Sequence, residues 1–223
     1  KGKSYTDNFG ADHFRLGDIG QIRGMEIPDA ALWWASSPCQ DVSEAGSCKG
    51  LGGERSGTIK DVWRLLREKQ AEGLALPKIV CVENVTGLMT ADGGRAIKAI
   101  KEAFGEIGYA IDIYEIDEIH FVPQSRPRIF IVAALGETGF PRLPSLPRRN
   151  SSLIEILEDV AEWDPAEQTQ DMLSRMEPVH LARVAGSSVV AMSYRTRNKI
   201  PRWEMLDDDA ANCLRTGAGG SSV

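Results

Sequence analysis

Apolar residues cluster in short runs in the first two thirds of the chain. Residues 31–36 (ALWWAS), 79–83 (IVCVE) and 129–134 (IFIVAA) are each bounded by turn-forming or polar residues. Runs of this length, apolar at consecutive positions, predict buried strands of a parallel-type sheet. Between the first two runs, Ile59, Val62, Trp63 and Leu66 recur at helical spacing; after the second, Ile97, Ile100, Phe104 and Ile107 do the same. Gly105 and Gly108 are placed to close that second helix. Residues 109–119 read as a further strand leading into 120–128. Strand, helix, strand, helix, strand is the alternation of an α/β fold and predicts a doubly wound layered domain.

The pattern then changes. Residues 136–150 (GETGFPRLPSLPRRN) carry prolines at 141, 144 and 147 and no period, which marks a linker. Ser152 and Glu155 are spaced as a capping box for a helix presenting Leu153, Leu157 and Val160 on one face. From 178 onward no period emerges, and an irregular small region is expected. The division predicted is a main domain over 1–140, a linker over 141–150 and a second region over 151–223.

Composition sharpens this picture only a little. At 223 residues, 42% hydrophobic and 26% charged, the chain can bury a core without disulfides or metals. No apolar run approaches a membrane span, and no leader peptide is visible. The cysteines at 39, 48, 81 and 213 form no C-x-x-C pair and the three histidines are scattered, so no metal site is expected. A reducing, cytoplasmic setting and a monomer fit these features. Net charge is −6, which does not advertise a nucleic-acid partner. The charge is unevenly spread: residues 150–177 are acidic, whereas Arg195, Arg197, Lys199 and Arg202 make a mildly basic cluster.

Three motifs carry candidate chemistry, each at a predicted strand end. Ser36-Ser37-Pro38-Cys39-Gln40 follows the first strand directly. In open α/β sheets ligands bind beyond the carboxyl ends of strands. A cysteine there is a candidate nucleophile, because even a small thiolate fraction is highly reactive. The following DVSEAGSCKGLGGERSG is glycine-rich and suits a loop that closes over a substrate. The alternative for Cys39 is a small buried residue. The second run ends Cys81-Val82-Glu83-Asn84-Val85, placing a carboxylate on the ligand side, as a proton-sharing group or as a helix cap or ion-pair member. The third motif is His120-Phe121-Val122-Pro123-Gln124-Ser125-Arg126-Pro127-Arg128. Strand alternation puts Arg126 and Arg128 on one face, where two guanidiniums call for an anionic or carbonyl partner such as Glu83, unless they are simply solvated.

In this order the PCQ, ENV and Q-x-R-x-R motifs resemble the DNA cytosine-5 methyltransferase family of bacteria and phages. ERSG at 54–57 is similar to the segment closing that family's catalytic loop, and Gly17-Asp18-Ile19 to its G-D-I motif. Lys3, Tyr5, Asn8 and Phe9 are similar to the end of the preceding motif. Cys213-Leu214-Arg215-Thr216 with Gly219-Gly220-Ser221-Ser222 resembles the glycine-rich segment closing the recognition region. The resemblance implies a Rossmann-like class I S-adenosylmethionine-dependent methyltransferase sheet over 1–140 and a partial target-recognition region over 151–223. It implies that Cys39 adds to carbon 6 of a cytosine flipped out of duplex DNA. Glu83 would bond ring N3 and the exocyclic amine, Arg128 would hold O2, and Arg126 would steady Glu83. Asp18 and Ile19 would face the cofactor adenine, with Pro38 shaping the turn. Gln40, Ser43, Gln124 and Arg215 would contact DNA. The family's F-x-G-x-G cofactor loop is expected before Lys1 and a last cofactor-side motif after Val223, so the chain is expected to be trimmed at both ends. Restriction-modification and a nucleoid-associated location in a bacterium or phage-infected cell follow from the same resemblance. The rival readings are a non-catalytic DNA- or partner-binding relative, a tRNA cytosine methyltransferase, and a cysteine hydrolase pairing Cys39 with His120.

Overall fold

The computed structural model describes residues 2–36, 57–136, 139–147, 152–156, 166–185, 190–197, 200–206 and 209–213. Cys39, together with Pro38, Gln40, Ser43 and Arg215, lies outside the described residues. The described elements are α1 (Gly2–Phe9), β1 (Leu32–Ser36), α2 (Gly57–Ala71), β2 (Ile79–Val85), α3 (Arg95–Ile107), β3 (Tyr109–Asp117) and β4 (Pro127–Leu135). They continue with α4 (Ala166–Ser174), α5 (Pro178–Val184), β5 (Met192–Arg197) and β6 (Ile200–Met205). The chain divides into two compact units, one of residues 1–115 and 128–142, the other of 116–127 and 143–223.

The first unit is built on a sheet of order β1-β2-β4-β3. β1 and β2 are parallel, with Ser36 opposite Glu83, and α2 provides the crossover between them. β4 runs antiparallel to β2, with Glu83 opposite Phe130 and Val85 opposite Arg128. The sheet is therefore mixed where the apolar runs predicted parallel strands. Apolar runs report burial and not direction: Ile129, Ile131 and Ala133 are fully buried, as a central strand requires in either sense. Direction is set by the connection. Residues 118–126 join β3 to β4 without a crossover helix, and a chain that turns back so soon enters the gap beside β2 reversed.

One face of the sheet meets the helices. Trp33, Ala35, Val80, Val82, Ile129, Ile131 and Ala133 pack with Ile59, Val62 and Leu66 of α2 and with Ile97, Ile100, Phe104 and Ile107 of α3. The helical positions expected from spacing are in this core, with Trp63 only partly buried. α3 ends at Gly108, whose φ of 98° lies in the left-handed region that glycine tolerates, and its N–H donates back to the Gly105 carbonyl. The opposite sheet face is more open than the runs suggested: Leu32 is 50% and Trp34 62% exposed. β1 lies at the edge of this sheet, so alternate side chains find cover on one side only.

The second unit is less irregular than expected. From 178 onward it contains α5 and an antiparallel hairpin of β5 and β6 whose backbone register sets residue Tyr194 opposite Trp203 and Arg195 opposite Arg202. Met172, Met176, Met205, Ala210 and Ala211 are buried within it. The Ser152–Glu155 capping contact forms, the backbone N–H of Ser152 donating to Glu155 at 3.0 Å, and a single 3-10 turn follows over Ile154–Ile156. Leu157 and Val160 lie outside the described residues. Among the described residues no helix is long and apolar enough to cross a membrane.

Leu66 is wholly buried between the sheet and α3. Leu66→Ala is expected to lower unfolding free energy by about 2–5 kcal/mol, the usual cost of emptying a packed leucine site. Urea titration followed by tryptophan fluorescence checks it; an unchanged midpoint would contradict this packing.

Candidate active site

Parallel β1 and β2 end on the same side of the sheet, and antiparallel β4 begins there. Ser36, Glu83 and Arg128 consequently meet at one point. The Arg128 Nε lies 2.9 Å from Glu83 Oε1, while the Ser36 hydroxyl donates to Glu83 Oε2. Both ionic side chains are largely covered, Arg128 at 14% and Glu83 at 18% exposure. A charged carboxylate so covered needs charged or hydrogen-bonding partners on its oxygens. Each oxygen has one. A parallel β4 would have carried Arg128 to the far end of the sheet.

Cys81 stands two residues before Glu83 on the same strand. It is 5% exposed, and burial, with the nearby Glu83 charge, pushes its thiol pKa upward. It is held as the protonated, inert form. Cys81 is thus unsuited to nucleophilic attack.

Of the two arginines expected to share Glu83, Arg128 makes the ion pair; Arg126 pairs with Glu118, Nε to Oε1 at 3.1 Å. Arg126 Nη1 also lies 3.5 Å from Cys213 Sγ. Its loop is organised by Asp117, which accepts from the Arg126 backbone N–H at 2.7 Å, from the Ile119 N–H and from the Ser125 hydroxyl. Ser125 N–H donates to Ala211 O and Ala211 N–H to Pro123 O, so Gln124 is bridged to the strand-like segment at 211. Ser36 in the first unit, and Asp117 and Glu118 in the second, are partners of motif residues that motif reading did not assign. Their one sequence signal is position, at the end of a strand or just beyond it.

Asp18 caps a short turn over Ile19–Gln21, accepting from the Gly20 N–H at 2.9 Å. Beside Ile19 opens a cavity of about 360 Å³ whose walls, including Pro28, Leu32, Trp33, Val62 and Leu65, are almost entirely apolar. The segment from 19 to 29 is tied to α2. Arg64 donates to the carbonyls of Ile19 and Ile22, both at 2.9 Å, and to Asp61 and Glu68. Glu68 accepts from the Gly24 N–H at 2.7 Å. Lys69, 2% exposed, reaches Asp29 at 2.9 Å and the Ile27 carbonyl. A Cβ on Gly24 would lie 2.7 Å from the Leu65 carbonyl oxygen, so the segment touches the helix where only glycine fits.

The sequence profile of the C-5 cytosine-specific DNA methylase family matches residues 2–211. The chain belongs to that family. It is 33% identical over 164 residues to the Type II methyltransferase M.BsuFI of Bacillus subtilis, covering 73% of this chain and 38% of that protein. It is 30% identical over 209 residues to M.BanI of Aneurinibacillus aneurinilyticus, covering 85% and 46%. The chain spans roughly two fifths of the length of the first of these relatives and under half of the second. The fold is that of solved methyltransferase structures. The Entamoeba histolytica methyltransferase EhMeth superposes with a TM-score of 0.60 at 22% identity over 78% of this chain and 55% of its own. The Dnmt2 methyltransferase of S. pombe gives 0.58 at 18% identity over 79% and 57%. The fold class expected from the motifs is borne out, with the sheet mixed and not parallel. C-5 cytosine methylases use S-adenosylmethionine, and the ENV and Q-x-R-x-R motifs of this member supply the Glu83 and Arg128 described above.

The Gly24 N–H first, and Arg64 second, hold the Glu68 carboxyl below its ordinary value of 4.5. A lowered folded pKa gives stability that is present in full above 4.5 and is lost as pH falls through the lowered value. Glu68→Gln is therefore expected to melt earlier than wild type at pH 7, with the deficit closing as the buffer is taken below about 4. Thermal melts across that range check the sign; a deficit that grows in acid contradicts it.

Proposed function

We propose that the protein containing this chain methylates carbon 5 of cytosine in double-stranded DNA, with Cys39 as nucleophile and Glu83 and Arg128 gripping the base. The observation that carries this reading is the Glu83–Arg128 pair, 2.9 Å apart at the carboxyl end of β2. One edge of cytosine offers, in sequence, an amine, a ring nitrogen and a carbonyl oxygen. A carboxyl group serves the first two and a guanidinium the third. Side by side, the two groups match that edge.

Cys39 follows Ser36 by three residues. Covalent geometry keeps its Cα within about 11 Å of the Ser36 Cα in any conformation, and Ser36 itself bonds to Glu83. The nucleophile is thereby tethered near any ring that Glu83 holds. The target base leaves the duplex, since carbon 6 is inaccessible in the stack. The Cys39 thiolate adds to carbon 6, and the electron pair of the 5,6 double bond moves toward carbon 5 and the ring. A proton shared between the Glu83 carboxyl and N3 offsets the charge that builds there, while Arg128 holds O2. When bound, S-adenosylmethionine supplies an electrophilic methyl group. A base then takes the carbon-5 proton, the double bond re-forms, and the thiolate departs.

The residues present fit this cofactor. The apolar cavity beside Ile19 suits the faces of a purine, and the exposed Asp18 carboxylate can accept from its amine. Pro38 is assigned to the same side. Gln40, Ser43, Gln124 and Arg215 are assigned to DNA. Arg195 and Arg202, directly opposite in the hairpin register, are assigned to a phosphate. The relatives come from bacteria and their phages, which favours a cytoplasmic enzyme acting alone or beside a restriction nuclease.

In the full-length protein, Cys39→Ser is expected to abolish transfer of tritiated methyl groups to duplex DNA while leaving duplex affinity within a few fold. Wild type is expected to form a covalent, denaturation-resistant adduct on DNA carrying 5-fluorocytosine. Turnover by the serine variant, or an unshifted band with cofactor present, overturns the assignment. Glu83→Gln should lower kcat by roughly 10²–10³, read in the same assay; methylation of tRNA in preference to duplex DNA would redirect the substrate.

A further inference from the structure

We propose that Arg64, on α2 and outside the recognised motifs, is the positioning residue for the Asp18–Ile19 segment, so that affinity for the cofactor is set from this helix. The inference rests on the cofactor reading above and extends it to a residue whose role no motif supplies.

One guanidinium makes four contacts here. Nη2 donates to the Ile19 carbonyl at 2.9 Å, and Nη1 to the Ile22 carbonyl at 2.9 Å and to Glu68 at 2.8 Å; Nε points to Asp61 at 3.3 Å. The two carbonyls flank the short turn that Asp18 caps. That turn presents Ile19 to the cavity. Its geometry therefore depends on a fork that spans both ends at once. A planar guanidinium does this with separate nitrogens in a fixed fork, whereas an ammonium would have to serve both carbonyls and both carboxylates from a single nitrogen.

The carboxylates hold the fork in turn. Asp61, Arg64 and Glu68 sit at spacings of three and four on one helix face. Glu68 raises the Arg64 pKa further, so the guanidinium is permanently charged. Glu68 also takes the Gly24 N–H, and Gly24 rests on the Leu65 carbonyl without room for a Cβ. Both halves of the 19–24 segment are thus referred to the same helix turn. Arg64 keeps about a third of its side chain exposed, so it is not a core residue whose loss would open a large cavity. Its part is geometric, and it touches neither the base nor the transferred methyl group.

The test uses the full-length protein as wild type, Arg64→Lys and Arg64→Met. Calorimetry with S-adenosylmethionine and with S-adenosylhomocysteine is expected to show about tenfold weaker binding in Arg64→Lys, the factor for one lost charge-assisted hydrogen bond, and weaker still in Arg64→Met. KM for the cofactor should rise by the same factor, with kcat at saturation and affinity for duplex DNA within twofold. Amide hydrogen exchange over residues 19–24 of the ligand-free protein should speed up, while that of β2 and α3 stays as in wild type. Unchanged cofactor affinity in both variants overturns the proposal. So does a parallel fall in cofactor affinity, DNA affinity and melting temperature, because that marks a general structural role. If wild type itself fails to bind either compound, the cofactor reading falls and this inference with it; if wild type binds and the variants match it, only this inference falls.

Discussion

A carboxylate at the covered end of a strand is costly to keep charged, and the site is organised around meeting that cost for Glu83. Arg128 balances its charge and Ser36 takes its second oxygen. These two partners come from different strands on either side of β2, so the pairing fixes three strand ends relative to one another. It also fixes where the chain leaves β1, three residues before Cys39. The reversal of β4 is what permits this arrangement. Only a strand that starts where its neighbours finish can bring its second residue to their carboxyl ends.

The helical periods of α2 and α3 and the apolar runs of the sheet were legible in the amino-acid order because burial on one face imposes a repeat. Strand direction was not. IFIVAA would look the same in a parallel or an antiparallel central strand, and only the short connection from β3 distinguishes them. Two-sided burial of β1 was over-read for a related reason: Leu32 and Trp34 are apolar, and at a sheet edge apolar side chains can remain exposed. The β5–β6 hairpin escaped notice because its strands, MSYRTR and IPRWEM, interleave arginine and glutamate with only scattered apolar residues. Glu83 and Arg128 were legible through motif position. Ser36, which bonds Glu83, and Glu118, which pairs with Arg126, were not, since a side chain's partner across the sheet or loop depends on register.

The helix α2 serves two purposes with two faces. Ile59, Val62 and Leu66 join the core beneath the sheet, while Asp61, Arg64, Glu68 and Lys69 grip the segment from 19 to 29. The same rigid body therefore references the Ile19–Gln21 turn and the sheet that carries Glu83. Disturbing the core face moves both, whereas disturbing the polar face moves the turn alone. Lys69 shows how tightly the polar face is held: a fully covered ammonium persists there because Asp29 and a backbone carbonyl are both in reach.

Charge placement explains how a chain of net charge −6 can belong to a DNA-modifying family. Arg126 and Arg128 are each matched by a carboxylate, Glu118 and Glu83 respectively. An arginine already neutralised by such a partner gains less from a phosphate, whose approach would bring a second negative charge to the first. It keeps its directed N–H groups, which suit a neutral acceptor such as a base carbonyl. Paired in this way, the two guanidiniums of the R-x-R motif suit a neutral acceptor better than a backbone phosphate. Attraction to the backbone must come from cations without such matching. The register of β5 and β6 sets Arg195 against Arg202, bringing two cationic residues to one level of the hairpin in the second unit.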